Sequence, residues 1–273
     1  MKTNICINQI FFRPEQAARL DTAFVPFDNS RSNKPLQYEY GVMCDIHDRQ
    51  LQLQAELTGV VSYKFVEKTR VSPADFLRWI DQNPGYDVYF INPFPHESYF
   101  GYNIWDHGEN CHPGIISLAQ EAIDATGAEI NLSALPRSTK HNLLFCNFWV
   151  GTAAFWYKYM KFTRPLAEYM MSKPEKYFSA AKYHEGVHAP YFPFITERLF
   201  TTLLSTDPSI KSLAWQHDED SVVNRINEIK IHNIHAQVKP CIDLLDKILE
   251  TNENMAIKRS LFNEITRLAW RWT

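Results

Sequence analysis

The chain has 273 residues, 45% of them hydrophobic and 14% aromatic, with 22% charged residues and a formal net charge of −3. A chain of this length buries a core without disulfide or metal staples, so one large α/β domain or two small ones are expected. The near-neutral charge and the lack of a long basic run exclude a nonspecific nucleic-acid binder, and no stretch approaches the roughly 20 apolar residues of a membrane span. The five cysteines, Cys6, Cys44, Cys111, Cys146 and Cys241, are odd in number and form no Cys-x-x-Cys pair. That usage points to reduced thiols in a cytoplasmic protein. The opening MKTNICINQIFF has a basic start, but Asn4, Asn8 and Gln9 interrupt its apolar run, and no signal peptide is expected. Seven Trp and thirteen Tyr suit pockets for flat rings or sugar faces as well as they suit surface packing.

In chain order, Ile5 to Phe12 alternates into a β-branched and aromatic run stopped by Arg13-Pro14, which predicts a first buried strand. FVPFDNSRSNKP, from Phe24 to Pro35, carries the residues of turns and is placed as a ligand loop. A short helix is expected over Leu36–Asp48 and a second strand over Gly59–Phe65. Ser72-Pro73-Ala74-Asp75 starts a helix, with Ser72 as N-cap and Pro73 at the first helical position, and Asn83-Pro84-Gly85 ends it. Tyr86 to Asn92 predicts a central strand halted by Pro93-Phe94-Pro95. Gly114–Thr126 reads as an amphipathic helix, Leu143–Val150 as another buried strand, and Thr152–Phe162 as an aromatic helix. From Ser221 to Glu250, Val222, Ile226, Ile229, Ile234, Val238, Ile242, Leu245 and Leu249 keep helical spacing, with a kink or break at Pro240. Asn254–Trp272 is a last helix, with Lys258, Arg259, Arg267 and Arg271 near Trp270 and Trp272. This order predicts an α/β fold, a mixed sheet flanked by helices over residues 1–215 with a helical C-terminal extension over 216–273 packed on the same domain.

Three segments are candidates for chemistry. In YFPFITERLFTTLL, Ile195, Leu199, Leu203, Phe200 and Leu204 gather on one apolar stripe; Glu197 falls at its edge and Arg198 nearly opposite. Glu197 has two readings, a general base near the start of a helix or a helix-terminal carboxylate paired with a Lys or Arg. NIWDHGENCHPG concentrates Asp106, His107, Glu109, Cys111 and His112. Its His-x-Glu lacks the downstream Pro-Cys-x-x-Cys of a zinc deaminase, so binding a substrate hydroxyl or shaping a loop is expected rather than metal. YHEGVHAP, with His184, Glu185 and His188, departs from His-Glu-x-x-His and reads as a loop. The chain has no GxSxG, P-loop or GxGxxG, and Asp87 to Asn92 offers no Asp-x-Asp pair. A leaving phosphate would then be held by side chains, and no metal ligand is assigned.

ICINQIFF, FVPFDNS, GVVSYKF with EKT, DVYFINP, NIWDHGENCHPG, LLFCNFWVGTAAFWYKYM and FITERLF, taken in that order over residues 4 to 205, resemble a group of bacterial glycosyltransferases from capsule and lipopolysaccharide loci. The resemblance implies a GT-A-like, Rossmann-like fold that takes a nucleotide sugar as donor substrate and a glycan or lipid-linked acceptor. It implies donor contacts at Gln9, Phe11, Asp28 and Asn29, with Asn92 and His96 where a metal-binding acid pair usually lies. Asn103, His107, Glu109 and His112 would line the sugar pocket. Asn147 and Trp149 would face the acceptor, with Arg198 as a further contact there, as Glu197's orienting neighbour, or on phosphate. Glu197 would be the catalytic base. The missing acid pair leaves a divalent cation unassigned and supports a rival role as a noncatalytic carbohydrate-binding or scaffold subunit of a glycan assembly complex. A second rival is a metal-dependent hydrolase using the His-rich segments. The expected setting is the cytoplasm, at the inner face of the cytoplasmic membrane, with the C-terminal helix a candidate for peripheral contact; nucleic acid is not an expected partner, and oligomeric state is left open.

Overall fold

In a computed structural model, residues 3–32, 34–184, 187–228, 237–249 and 255–270 are described. The strands are β1 (Ile5–Phe11), β2 (Val25–Asp28), β3 (Leu57–Ser62), β4 (Val88–Phe90), β5 (Trp149–Gly151), β6 (Ala180–His184), β7 (Val187–Pro190) and β8 (Ser212–Ala214). The helices are α1 (Tyr38–Asp48), α2 (Phe65–Thr69), α3 (Pro73–Gln82), α4 (Ile104–Cys111), α5 (Ile115–Ala125), α6 (Ala153–Met171), α7 (Pro174–Tyr177), α8 (Tyr191–Thr206), α9 (Glu219–Glu228), α10 (Lys239–Leu249) and α11 (Met255–Trp270).

Six strands form one mixed sheet in the order β2-β1-β3-β5-β4-β8, and β6 and β7 form a separate hairpin. β1 is parallel to β2 and β3, and β4 to β8; β5 alone runs against its neighbours β3 and β4. Every strand of the sheet except β5 therefore ends at the same edge. β3 is buried along its whole length, as expected of a central strand covered on both faces. Its Gly59 lets β5 approach: a Cβ there would stand 2.6 Å from the Trp149 carbonyl oxygen.

Local chemistry sets the helix starts. Ser72 Oγ accepts the Asp75 N–H at 3.1 Å, with Pro73 at the first helical position of α3. Asn103 caps α4 through the N–H groups of Trp105 and Asp106, while the Asp106 carboxylate accepts the Asn103 N–H. Thr152 caps α6 through the Phe155 N–H. α6 continues past the expected end at Phe162 and carries Pro165 inside it. The carbonyl deprived of its donor there belongs to Lys161, an exposed residue, so water offsets the loss.

Several sequence expectations are corrected. Residues 143–148 are not a strand: Leu144 N–H donates to Thr201 Oγ1 and Cys146 N–H to Glu197 Oε1, both on α8, and Cys146 and Asn147 are left-handed (φ 64° and 53°). The turn-rich Phe24–Pro35 segment contains edge strand β2, and the expected His-rich loop contains β6 and β7; Glu185 and Gly186 lie outside the described residues. Pro240 falls in the first turn of α10, and Ile229 and Ile234 lie outside the described residues, as do Asn254, Arg271 and Trp272. Ile226, Val238, Ile242, Leu245 and Phe262 of the C-terminal helical segments bury a second, smaller core with Tyr99 and Tyr102. Among the described residues no helix is long and apolar enough to cross a membrane.

Candidate active site

A cleft of about 820 Å³ opens at the edge where β1, β3 and β4 end and where the chain enters β5. Phe12 follows β1, Lys68 lies on α2 just after β3, His96 and Glu97 follow β4, and Cys146 and Asn147 precede β5; α1 adds Glu39, α4 adds His107 and Cys111, and α8 adds Glu197 and Arg198. β1 has β2 on one side and β3 on the other, so the cleft sits at a topological switch point, where open α/β sheets hold ligands.

Cys146 joins two walls. Its N–H donates to Glu197 Oε1 at 2.6 Å, and its Sγ lies 3.1 Å from Lys68 Nζ. Burial, with Glu197 nearby, pushes the Cys146 thiol up, so the group beside Lys68 is a neutral thiol. Burial works against the Lys68 ammonium, but its hydrogen bond to the Cys146 sulfur and the nearby Glu39 and Glu197 carboxylates outweigh it and keep the amine charged. Glu39 is partly buried in the cleft wall; burial raises its carboxyl from 4.5 to about 7, with Lys68 opposing and Glu197 adding to the rise.

The far wall is a histidine cluster. His107 Nε2 lies 2.7 Å from Glu97 Oε2 and 3.8 Å from Cys111 Sγ, and His96 Nε2 lies 3.5 Å from Glu97 Oε1. Burial opposes ionisation of both partners. Hydrogen bonds from His107 and His96 nevertheless draw Glu97 down to about 2, and Cys111 and Glu97 raise His107 to about 9. The exposed Cys111 thiol is opposed by partial burial but drawn below its usual value by His107.

Arg198 is 1% exposed, a correction to the expectation that it points away from the apolar stripe. Its Nε donates to Ile104 O at 3.2 Å and its Nη1 to Phe194 O at 2.8 Å. Glu197 is the seventh residue of α8 rather than near its start, past the first turn where a helix terminus acts.

Of the residues expected at the site, His96, His107, His112, Asn147, Glu197 and Arg198 line this cleft. The others are elsewhere. Gln9 is 1% exposed and ties Asp21 N–H to Ser62 O. Phe11 is in the core, Asp28 turns onto Ser30, and Asn29 N–H donates to Phe11 O. Asn92 folds onto Phe94 and lines a second pocket of about 520 Å³. Asn103 caps α4, Glu109 accepts the N–H groups of Gly114 and Ile116 at the start of α5, and Trp149 packs among Phe155, Trp156, Tyr159 and Phe200. Glu39, Lys68 and Glu97 were not expected. Lys68 lies in the EKT run and Glu97 adjoins His96, but nothing in the sequence places Glu39 opposite them.

Asn92 is bonded to its own turn, and among the described residues no group of three or more His, Cys, Asp or Glu side chains is arranged to hold a metal ion.

Fold and site together define an α/β protein with a polar ligand cleft at the carboxyl edge of a mixed sheet. The solved apo structure of WbbM, a bifunctional glycosyltransferase, is similar in fold, with a TM-score of 0.51 and 14% sequence identity over 78% of this chain and 45% of that one. This chain thus spans less than half of the WbbM chain. No known protein family matches the chain, and no curated protein sequence is similar to it.

Proposed function

We propose that this chain is a glycosyltransferase that moves a sugar from a nucleotide-activated donor to a hydroxyl of a glycan or lipid-linked acceptor in bacterial surface polysaccharide synthesis. The observation that carries the reading is the placement of Glu197 in a cleft at the switch point of the sheet, oriented by the Cys146 N–H. With one oxygen held, Glu197 presents the other as base. The acceptor hydroxyl gives its proton to Glu197 as its oxygen bonds to the anomeric carbon, and the bond from that carbon to the donor phosphate breaks. The negative charge leaves on the nucleotide. The fold likeness to a bifunctional glycosyltransferase supports this class of reaction.

The test is release of free nucleotide from a panel of nucleotide sugars, with a polyprenyl-linked or oligosaccharide acceptor, by wild type and Glu197→Gln. Acceptor-dependent release that the variant loses is expected. Equal turnover by both proteins overturns the base assignment, and a lack of turnover with the whole panel counts against the activity.

A further inference from the structure

Among the described residues, the cleft holds a positive charge with no carboxylate paired to it. Among the described residues, Lys68 is not within ion-pair distance of any carboxylate, although it lies close enough to Glu39 and Glu197 to feel both. An ammonium has three N–H donors. One faces the Cys146 thiol at 3.1 Å, a weak acceptor, and the Phe148 ring lies 5.9 Å away. Neighbouring cations are matched differently: Lys64 pairs with Glu67 and Arg70 with Glu228, while Arg225 donates to the carbonyls of Lys68 and Thr69 and so caps the end of α2. Lys68 is thereby held on a braced helix end with donors to spare.

The opposite wall adds to the field. Arg198 is buried and bonded to two backbone carbonyls, so its charge is desolvated without a carboxylate at bonding distance among the described residues. A buried cation of this kind favours an anion arriving nearby even without touching it. Lys68 follows β3 at the switch point and shares the cleft with Phe12 at the end of β1, the place where ligand phosphates meet such sheets.

We propose that Lys68 is a further catalytic residue of this site, donating hydrogen bonds to the phosphoryl oxygens of a nucleoside diphosphate and holding its charge as the sugar departs. This rests on the glycosyl-transfer reading and adds the identity of the leaving-group contact. A lysine suits the task as a compact point charge able to follow the phosphate as its charge grows.

Isothermal titration of wild type, Lys68→Met and Lys68→Arg with uridine diphosphate, guanosine diphosphate, the corresponding nucleosides and inorganic pyrophosphate, all with chelator present, tests the assignment. Methionine keeps the contact with Cys146 and Phe148, and melting curves report whether each variant is folded. The expected result is that one nucleoside diphosphate binds wild type, that Lys68→Met weakens it at least tenfold while leaving nucleoside binding within twofold, and that Lys68→Arg recovers part of the loss. Unchanged diphosphate affinity in folded Lys68→Met overturns the assignment and leaves glycosyl transfer standing. If Lys68→Met does not fold, the same comparison is read on Lys68→Arg and Lys68→Gln. Failure of every diphosphate to bind wild type overturns both readings.

Discussion

The Glu197 carboxylate and the Cys146 backbone N–H meet at 2.6 Å, and this bond joins the middle of α8 to the left-handed turn that opens into β5. Glu197 is therefore a structural acceptor as well as the proposed base, and two substitutions separate the roles. Glutamine keeps a carbonyl oxygen for the Cys146 N–H and loses the basicity. Glu197→Gln should unfold near the wild-type midpoint and lose about 10²–10⁴-fold in turnover. Alanine strands the Cys146 N–H, and Glu197→Ala should be destabilised by about 1–3 kcal/mol. Urea unfolding alongside turnover checks both; equal stability of the two variants would remove the structural half.

The Glu97–His107 pair predicts a stability plateau. Glu97 is lowered from 4.5 to about 2, so its contribution is present above pH 4.5 and is lost as pH falls from there through 2. His107 is raised from 6.5 to about 9, so its contribution is complete below pH 6.5 and is lost as pH rises from there through 9. The two limbs share the Glu97–His107 bond, with Cys111 adding to the alkaline one and His96 to the acid one, and the alkaline loss should be roughly 3 kcal/mol at most. Glu97→Gln keeps a hydrogen-bond acceptor without the charge and should flatten the slope between pH 6.5 and 9. Urea midpoints measured across that range give the comparison, and parallel curves for the two proteins would contradict it.

How much of this was legible in the sequence follows from the range of the forces involved. The caps at Ser72 and Asn103 and the buried runs of β1 and β3 are local, and residue type reports the helix starts and strands they make. β2, β6, β7 and β8 are three to five residues long, fixed by what they pair with rather than by their own pattern. Residues 143–148 read as a strand because their side chains are apolar, yet α8 takes two of their N–H groups. At the site, His107, Glu197 and Arg198 were found because polar residues stand out beside apolar ones. Glu39 and Lys68 look like ordinary helix-surface residues, and only the packing of α1 and α2 around the ends of β1 and β3 brings them to one cleft.

Glu39 should titrate near neutrality and oppose folding as it does so. Burial raises it from 4.5 to about 7, so the folded protein holds that proton more tightly, and stability falls as pH rises from 4.5 to 7 and is level above. Glu39→Gln removes the titration. The variant should gain stability over wild type across that range, keep the gain above pH 7, and lose it near pH 4.5. Lys68 opposes the rise, so Lys68→Met should carry the slope to higher pH. Midpoints for the three proteins between pH 4.5 and 8.5 decide it; a constant offset between Glu39→Gln and wild type would place Glu39 outside the coupling.

Gly108 is the neighbour that gives Arg198 room. A Cβ built on Gly108 would stand 2.6 Å from Arg198 Nε and 3.2 Å from Ile115 Cγ2, closer than carbon approaches nitrogen without something moving. Arg198 is pinned through Nε to Ile104 O, one turn earlier on α4, so the guanidinium cannot retreat without breaking that bond. Gly108→Ala is favourable for an isolated helix by about 1 kcal/mol, since alanine is the better helix former. Here overpacking should outweigh it and leave the variant about 1–3 kcal/mol less stable. Because α4 also carries His107 and Cys111, a shifted helix should disturb the His107–Glu97 contact as well, visible as a change in the His107 ring resonances by NMR. Pairing Gly108→Ala with Arg198→Met relieves the contact, so the double variant should be less destabilised than the sum of the single ones. Strict additivity of the two losses, measured by urea unfolding, would show that the glycine is not there to admit the guanidinium.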